Sequence, residues 1–267
     1  MRRSRRSRSS GRERAIQEYF DTQGMEAEPL AEGPDEAFPL RPFAEGNTDR
    51  DELPEVPVTD EGPDPARLLR RARRTSRSGR RSDAIQAYRD LLEVARDNIE
   101  GRLELARLLE DADDIAGALG QLDCAVADAP QRADVITARG ALHARLKHYH
   151  PAEADLAEAL RLDPGHAPAH FHSGMVQLRR GRDQQAAASF RRTLECTDQI
   201  PDALYYLGEA LNLLDDFDGA ITTVERAIDV QPDDPRGYRL LGRVLDRCGR
   251  PEDAQVMYQK AREVARR

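Results

Sequence analysis

The chain has 267 residues, of which 34% are charged and 5% aromatic, and its formal net charge is −8. No stretch approaches the roughly 20 consecutive apolar residues of a membrane helix, and no apolar run follows the arginines of the first positions. We therefore expect a cytoplasmic protein without a signal peptide or a membrane span, whose overall charge disfavours nucleic acid as a partner.

The first 64 residues divide into two segments of opposite charge. Residues 1–14 hold seven arginines and one glutamate, and residues 15–64 hold fifteen acidic residues, two arginines and seven prolines. Charge blocks with so few apolar residues cannot repay the entropy of ordering, so we predict a disordered tail. A short helix over 13–20 that docks on a partner is one alternative. The arginines of 1–14 form either a solvated terminus or a contact for nucleic acid or another anionic surface.

From residue 65 onward, the sequence repeats every 34 residues without insertion or deletion. Alanine recurs six times at this spacing: Ala84, Ala118, Ala152, Ala186, Ala220 and Ala254. A large apolar or aromatic residue follows each alanine by four positions: Tyr88, Leu122, Leu156, Phe190, Val224 and Tyr258. Glycine or alanine precedes it by twelve: Ala72, Ala106, Gly140, Gly174, Gly208 and Gly242. This pattern predicts pairs of short helices whose backbones approach each other closely at the small residues.

The unit that starts at Pro201 shows the pattern most clearly. Its first helix carries leucines at 204, 207 and 211, the spacing of one apolar helix face. Its second helix begins near Phe217, and we expect it to stop before Pro232, which cannot continue a helix.

These residues and their spacing resemble the tetratricopeptide repeat, over residues 65–267. The resemblance implies an all-α fold, a right-handed superhelical solenoid of six helix-turn-helix units that start at 65, 99, 133, 167, 201 and 235. Each unit stacks on the next, because no single unit can bury its own apolar face. In the sixth unit Gln255 and Arg262 replace Ile221 and Ile228 of the fifth, so we expect the last helix to close the array.

The resemblance also implies a binding surface on the first helix of each repeat. Carried over position by position, it selects an apolar group with polar neighbours in repeats four and five: Phe171, Met175, Leu178, Arg179, Tyr205, Asn212 and Leu213. In repeat six it selects a row of arginines: Arg236, Arg239, Arg243 and Arg247. Because arginine pairs with carboxylates, we expect a protein or peptide partner with apolar anchors and acidic residues. Acidic segment 15–64 is a second candidate for the same arginines.

Two other classes of function stay open. A nucleic-acid-associated factor would use the arginines of 1–14 and the basic first repeat, and a self-assembling structural protein, hence a homo-oligomer, would use the apolar residues of the last helix. All six histidines lie between His143 and His172, but a helix length separates them into two groups, so we predict no metal site. No phosphate-binding loop or hydrolase motif is present. We therefore expect a scaffold that has no enzymatic activity and no cofactor.

Overall fold

The computed structural model describes residues 64–266, and all regular secondary structure in this range is α-helical. The helices are α1 (Pro65–Arg77), α2 (Arg81–Val94), α3 (Ile99–Asp111), α4 (Ile115–Asp128), α5 (Ala133–Arg145), α6 (Tyr149–Leu162), α7 (Ala167–Arg179), α8 (Asp183–Cys196), α9 (Asp202–Leu213), α10 (Phe217–Val230), α11 (Pro235–Arg247) and α12 (Pro251–Val264). The all-α prediction is confirmed. The described residues form two compact units, which divide after Gly120.

Consecutive helices pack in pairs within each unit. In the first unit α1 packs on α2, and in the second unit the pairs are α5 with α6, α7 with α8, α9 with α10 and α11 with α12. The pairs form because each helix has one apolar face that only a neighbour can shield from water. None of the helices in residues 64–266 has the length and apolar character to cross a bilayer.

The small residues of the repeat lie where two helices of a pair touch. All six of the alanines spaced by 34 residues are fully buried. A Cβ atom added to Gly208 of α9 would lie 2.4 Å from Cγ2 of Val224 on α10, and one added to Gly174 of α7 would lie 2.6 Å from the Phe190 ring on α8. The backbone of the first helix therefore rests directly on the large apolar side chain of the second.

The turn inside each helix pair also follows the 34-residue period. One residue in each turn has a positive φ, between 60° and 74°: Gly79, Asp113, Lys147, Gly181, Asp215 and Gly249. In the turn after α5, the backbone N–H of His148 donates to the carbonyl of His143 at 2.9 Å, and the equivalent bond recurs after α3, α7, α9 and α11. A helix end with a residue in the left-handed conformation and this backbone hydrogen bond is a Schellman motif. It reverses the direction of the chain within a few residues.

The core of the second unit contains two groups of buried side chains. One includes Phe190, Leu207 and Leu240, and aromatic residues of α7 and α9 pack against it. The other includes Ile136, Leu156 and Val176, around α5, α6 and α7. The first group supports the partly exposed side chains of α7 and α9.

Candidate peptide-binding surface

The first helices of repeats four, five and six lie side by side, since α9 contacts both α7 and α11. The selected residues recur at intervals of four, three and one positions on α7, of seven and one on α9, and of three, four and four on α11, which places them on one face of each helix. The selected face of α9 therefore has a neighbour on both sides. The structure joins the three faces through specific contacts, first aromatic and then ionic.

An aromatic chain connects the face of α7 to that of α11. The ring of Phe171 lies 5.8 Å from that of Tyr206, which lies 5.1 Å from that of Tyr205, both in edge-on contact. The guanidinium carbon of Arg236 lies 5.2 Å from the centre of the Tyr205 ring, within range of a cation–π interaction. Tyr206 was absent from the sequence prediction, although its place beside Tyr205 on a helix with few aromatic residues was a usable signal.

The selected apolar residues are only partly covered by the protein. Phe171, Met175, Leu178 and Tyr205 are half-buried and pack against the core with one side. Leu213, at the end of α9, is 49% exposed. Arg179 is exposed at the end of α7 beside Leu178. The faces of α7 and α9 thus present apolar and aromatic atoms to solvent on a rigid support.

The arginines of α11 differ from the free row of charges that the sequence predicts. Arg236 binds Asp202 of α9 at 2.6 Å and Asp234 at 2.8 Å. Arg243 binds Glu209 at 3.4 Å, and Arg247 forms an ion pair with Asp215. Three of the four predicted arginines are therefore already paired with carboxylates of the chain itself, and all of these carboxylates belong to repeat five.

Arg239 is the member of this row that has no ion pair within residues 64–266, and it is exposed. It occupies the repeat position of Phe171 and Tyr205, so it extends their line onto α11. An exposed, unpaired guanidinium group keeps its capacity to bind a carboxylate through two hydrogen bonds.

Asn212 has a different role from the predicted ligand contact. Its side chain is 7% exposed, and its Oδ1 accepts a hydrogen bond of 2.9 Å from Nη1 of Arg247. The guanidinium group of Arg247 also lies 5.0 Å from the centre of the Phe217 ring. Asn212 therefore positions Arg247 between α9 and α11 instead of facing solvent.

Tyr205 and Arg236 are each held in one protonation state near neutral pH. Burial raises the pKa of Tyr205, and the nearby Glu209 carboxylate adds to the rise. The hydrogen bond to Asp234, followed by that to Asp202, raises the pKa of Arg236. The phenol stays protonated and the guanidinium stays charged, so these groups can bind and orient a ligand but are poorly suited to proton transfer.

Of the histidines, His172 reaches this surface, because its ring lies 5.4 Å from that of Phe171 in edge-on contact. Burial lowers the pKa of His143 and of His148, whose ring centres are 6.0 Å apart. Near the start of α7, His170 Nε2 lies 2.9 Å from the carbonyl of Pro164, and His166 lies 3.6 Å from Asp163. Within residues 64–266, no three His, Cys, Asp or Glu residues gather closely enough to hold a metal ion.

The predictions for the tail lie outside the described residues. These are the docking helix over 13–20, the anion contact of the arginines in 1–14 and the disordered tail 1–64, of which only Asp64 is described, as the N-cap residue of α1.

Antiparallel helix pairs at a fixed period, with small residues at the crossings, define a helical repeat protein. Sequence models of one such repeat match the chain, both described as the tetratricopeptide repeat, over residues 137–201 and 201–244. Solved structures of such repeats also share its fold. The chain is a tetratricopeptide repeat protein, as its sequence pattern predicted.

Three solved structures illustrate the likeness. A tetratricopeptide repeat protein from Parabacteroides merdae is 18% identical, with a TM-score of 0.60 over 79% of this chain and 80% of that protein. YrrB, described as having an unusual peptide-binding site, is 19% identical, with a TM-score of 0.55 over 68% and 93%. The pilF product of Pseudomonas aeruginosa is 18% identical, with a TM-score of 0.64 over 72% and 88%. These identities establish a shared fold alone. No curated protein matches the chain in sequence.

Proposed function

We propose that the chain is a protein-interaction scaffold whose aromatic-apolar surface on α7 and α9 binds a peptide segment of a partner protein. Helical repeats of this kind present extended surfaces to protein partners. The observation that carries the proposal is the group of half-buried side chains Phe171, Met175, Leu178 and Tyr205, continued by the exposed Leu213. Monomeric proteins seldom leave apolar atoms together in solvent without a binding role.

The ion pairs of α11 change the expected chemistry of the partner. Arg236, Arg243 and Arg247 are neutralised by carboxylates of the chain, so an acid-rich peptide would have to displace those carboxylates. Arg239 and Arg179 have no such pairs in the described part of the chain. The favoured ligand is therefore a segment with two or three apolar side chains and one or two carboxylates, placed to meet these two arginines.

Peptide selection from a random library tests this proposal with the full-length chain. Peptides that bind are ranked by Kd, and the same peptides are measured against Met175→Asp and Leu213→Asp. We expect each substitution to weaken binding at least tenfold, because it places a carboxylate in an apolar contact. Val230→Asp is the matched control, since Val230 is 57% exposed on α10, away from the selected faces.

A weaker electrostatic effect is expected at Arg239. Replacing it with glutamine should raise the Kd of the selected peptides that carry a carboxylate by roughly three- to tenfold, which corresponds to the loss of one exposed charge-assisted hydrogen bond. Apolar peptides should be unaffected. Equal losses in Val230→Asp and Leu213→Asp, or a selection that yields no peptide at all, would contradict the proposal.

Self-association through the last helix has less support. Val256 on α12 is 50% exposed, but the groove on the same helix is lined mainly by polar residues, among them Gln255, Gln259 and Arg262. An isolated apolar residue in a polar surface does not make a stable interface. Light scattering of the full chain over a range of concentrations should give a constant mass.

A further inference from the structure

The first helix is the most basic element of the described chain. Six of the thirteen residues of α1 are arginines: Arg67, Arg70, Arg71, Arg73, Arg74 and Arg77. Arg71 lies 3.8 Å from Asp90 of α2, and Arg73 pairs with Glu100 of α3. The other four recur at intervals of three, four and three residues, so they share a stripe about 15 Å long, which we term the arginine face.

Two residues of the arginine face occupy repeat positions that are apolar and buried elsewhere. The position of Arg67 is held in the later repeats by Gly101, Val135, Ala169, Ala203 and Gly237, and all five are buried. The position of Arg74 is held by Leu108, Leu142, Val176, Ala210 and Val244, which are also buried. Arg67 and Arg74 are both exposed.

The buried positions face the preceding repeat. A Cβ atom on Gly237 of α11 would lie 2.9 Å from Ile228 of α10, and one on Gly101 of α3 would lie 3.0 Å from Leu91 of α2. The arginine face thus occupies the side of α1 where a preceding helix pair would pack. Guanidinium groups there exclude an apolar helix, because its contact would bury their charge without a partner.

Only one of the four arginines of the arginine face has an ion pair within residues 64–266. Arg70 lies 3.7 Å from Asp64, and both side chains are largely exposed. Arg67, Arg74 and Arg77 have no ion pair with the described residues. Like charges three and four residues apart destabilise a helix, so an anion that covers this face would stabilise α1.

We propose that the arginine face binds the acidic segment 15–63 of the same chain. Residues 15–63 hold fourteen acidic residues and two arginines, a net charge of −12, opposite to that of the face. The segment joins the helix directly, because Asp64 is the N-cap residue of α1. Covalent attachment gives a segment of this length an effective concentration that an external polyanion must exceed. The arginines of α11 compete poorly, since three of them are already paired.

This assignment differs from the competition for α11 that the sequence suggested. It makes the segment a shield for the first repeat and leaves the surface on α7 and α9 open. External polyanions, including nucleic acid, would bind α1 only after the segment is displaced or neutralised.

Zero-length carbodiimide coupling on the full chain tests the contact directly. The reaction joins a lysine to a carboxylate that touches it, and the chain has only two lysines, Lys147 and Lys260. Arg67→Lys and Arg74→Lys keep the positive charge and add a reactive amine to the arginine face. The matched controls are Arg191→Lys and Arg226→Lys, which place the same amine at exposed positions on α8 and α10.

We expect cross-links from positions 67 and 74 to carboxylates of segment 15–63, at least tenfold more abundant than from the control positions. They should disappear at 1 M salt, where the screening length is about 3 Å. A mixture of isotopically labelled and unlabelled chains identifies the cross-links within one chain. Equal yields at the control positions, or cross-links that form mainly between two copies, would overturn the proposal.

A binding measurement distinguishes the segment from a foreign polyanion. Inorganic polyphosphate is titrated into the full chain and into a variant whose acids in 15–63 are replaced by Asn and Gln. We expect at least tenfold tighter binding to the neutralised variant, and loss of that gain when Arg67→Gln and Arg74→Gln are added. Identical affinities for the full chain and the neutralised variant would show that the arginine face is not covered.

Discussion

Arg139 on α5 donates two hydrogen bonds to the carboxylate of Asp155 on α6, one of 2.7 Å from Nη2 and one of 2.9 Å from Nε. Its Nη1 also donates to Asp123 of α4 at 3.0 Å. The Asp155 side chain is 11% exposed and that of Asp123 30%. These hydrogen bonds, with that to Asp155 the strongest, raise the pKa of Arg139, so its guanidinium group stays charged at neutral pH.

Removal of Asp155 should therefore be costly. Asp155→Ala leaves a partly buried guanidinium with one of its three hydrogen bonds, and we expect the free energy of unfolding to fall by about 3 kcal/mol. Asp123→Ala removes a single, more exposed contact and should cost about 1 kcal/mol or less. Urea denaturation of the full chain measures both. Equal losses for the two variants would show that burial does not determine the strength of these pairs.

Gly208 and Gly120 should respond oppositely to the same substitution. Gly208→Ala brings a Cβ atom to 2.4 Å from the Val224 side chain, which is fully buried and stiff, so we expect a net loss of about 1–3 kcal/mol. Gly120 is also helical, but no described atom lies within 4 Å of its Cβ position. Gly120→Ala should stabilise by roughly 0.5–1 kcal/mol through helix propensity. The two melting temperatures, compared with that of the native chain, test the opposite signs.

The turn residues offer a test of backbone strain. Lys147 adopts a φ of 62°, where the equivalent residues after α1, α7 and α11 are glycines. A left-handed conformation costs a residue with a Cβ atom about 1–2 kcal/mol. Substitution by glycine removes this cost, but it also raises the entropy of the unfolded chain, which offsets part of the stabilisation. We expect Lys147→Gly to stabilise by about 0.5 kcal/mol and Gly181→Ala to destabilise by about 1 kcal/mol. Thermal unfolding that shows no difference between the two would argue against a strained turn.

His172 should make the stability of the second unit depend on pH. Burial, with a smaller effect of His166, lowers its pKa from 6.5 to about 4. Because the unfolded chain takes up the proton first, stability is full above pH 6.5 and falls as the pH drops toward 4, by on the order of 3 kcal/mol. His172→Leu should remove this part of the dependence of the unfolding free energy on pH, measured by urea denaturation at several pH values between 7.5 and 4.5. Because burial also lowers the pKa of His143 and His148, the variant should retain a smaller dependence of stability on pH. A variant whose stability depends on pH as strongly as that of the native chain would refute the assignment to His172.

The sequence was sufficient to predict the helix-pair fold, because each small residue of the period marks a place where two helices touch. It was not sufficient to predict the charge of the arginine row. Pairs such as Arg236 with Asp202 connect residues of adjacent repeats, and they form only when the repeats stack in the observed register. A signal did exist, since these two residues, like Arg243 and Glu209, are separated by one full period.

The burial of Asn212 escaped prediction for a similar reason. The family pattern places its position on the binding face, but the side chain turns toward Arg247 of the next repeat and becomes 7% exposed. Tyr206 was missed because its position belongs to the packing side of the helix, although its ring contacts both Phe171 and Tyr205. Position in the repeat identifies the face of a residue, but the neighbour determines what the side chain does there.

The pairing of α9 acids with α11 arginines has a consequence for the order of the repeats. The acids Asp202, Glu209 and Asp215 all belong to repeat five, and their partners all follow them in the chain. Exchanging the two repeats in the gene would keep every helix, yet it would leave both sets of charges facing unsuitable neighbours. Repeats five and six are therefore not interchangeable, although their helices are alike. The ion pairs between them favour a single order of the two repeats along the chain.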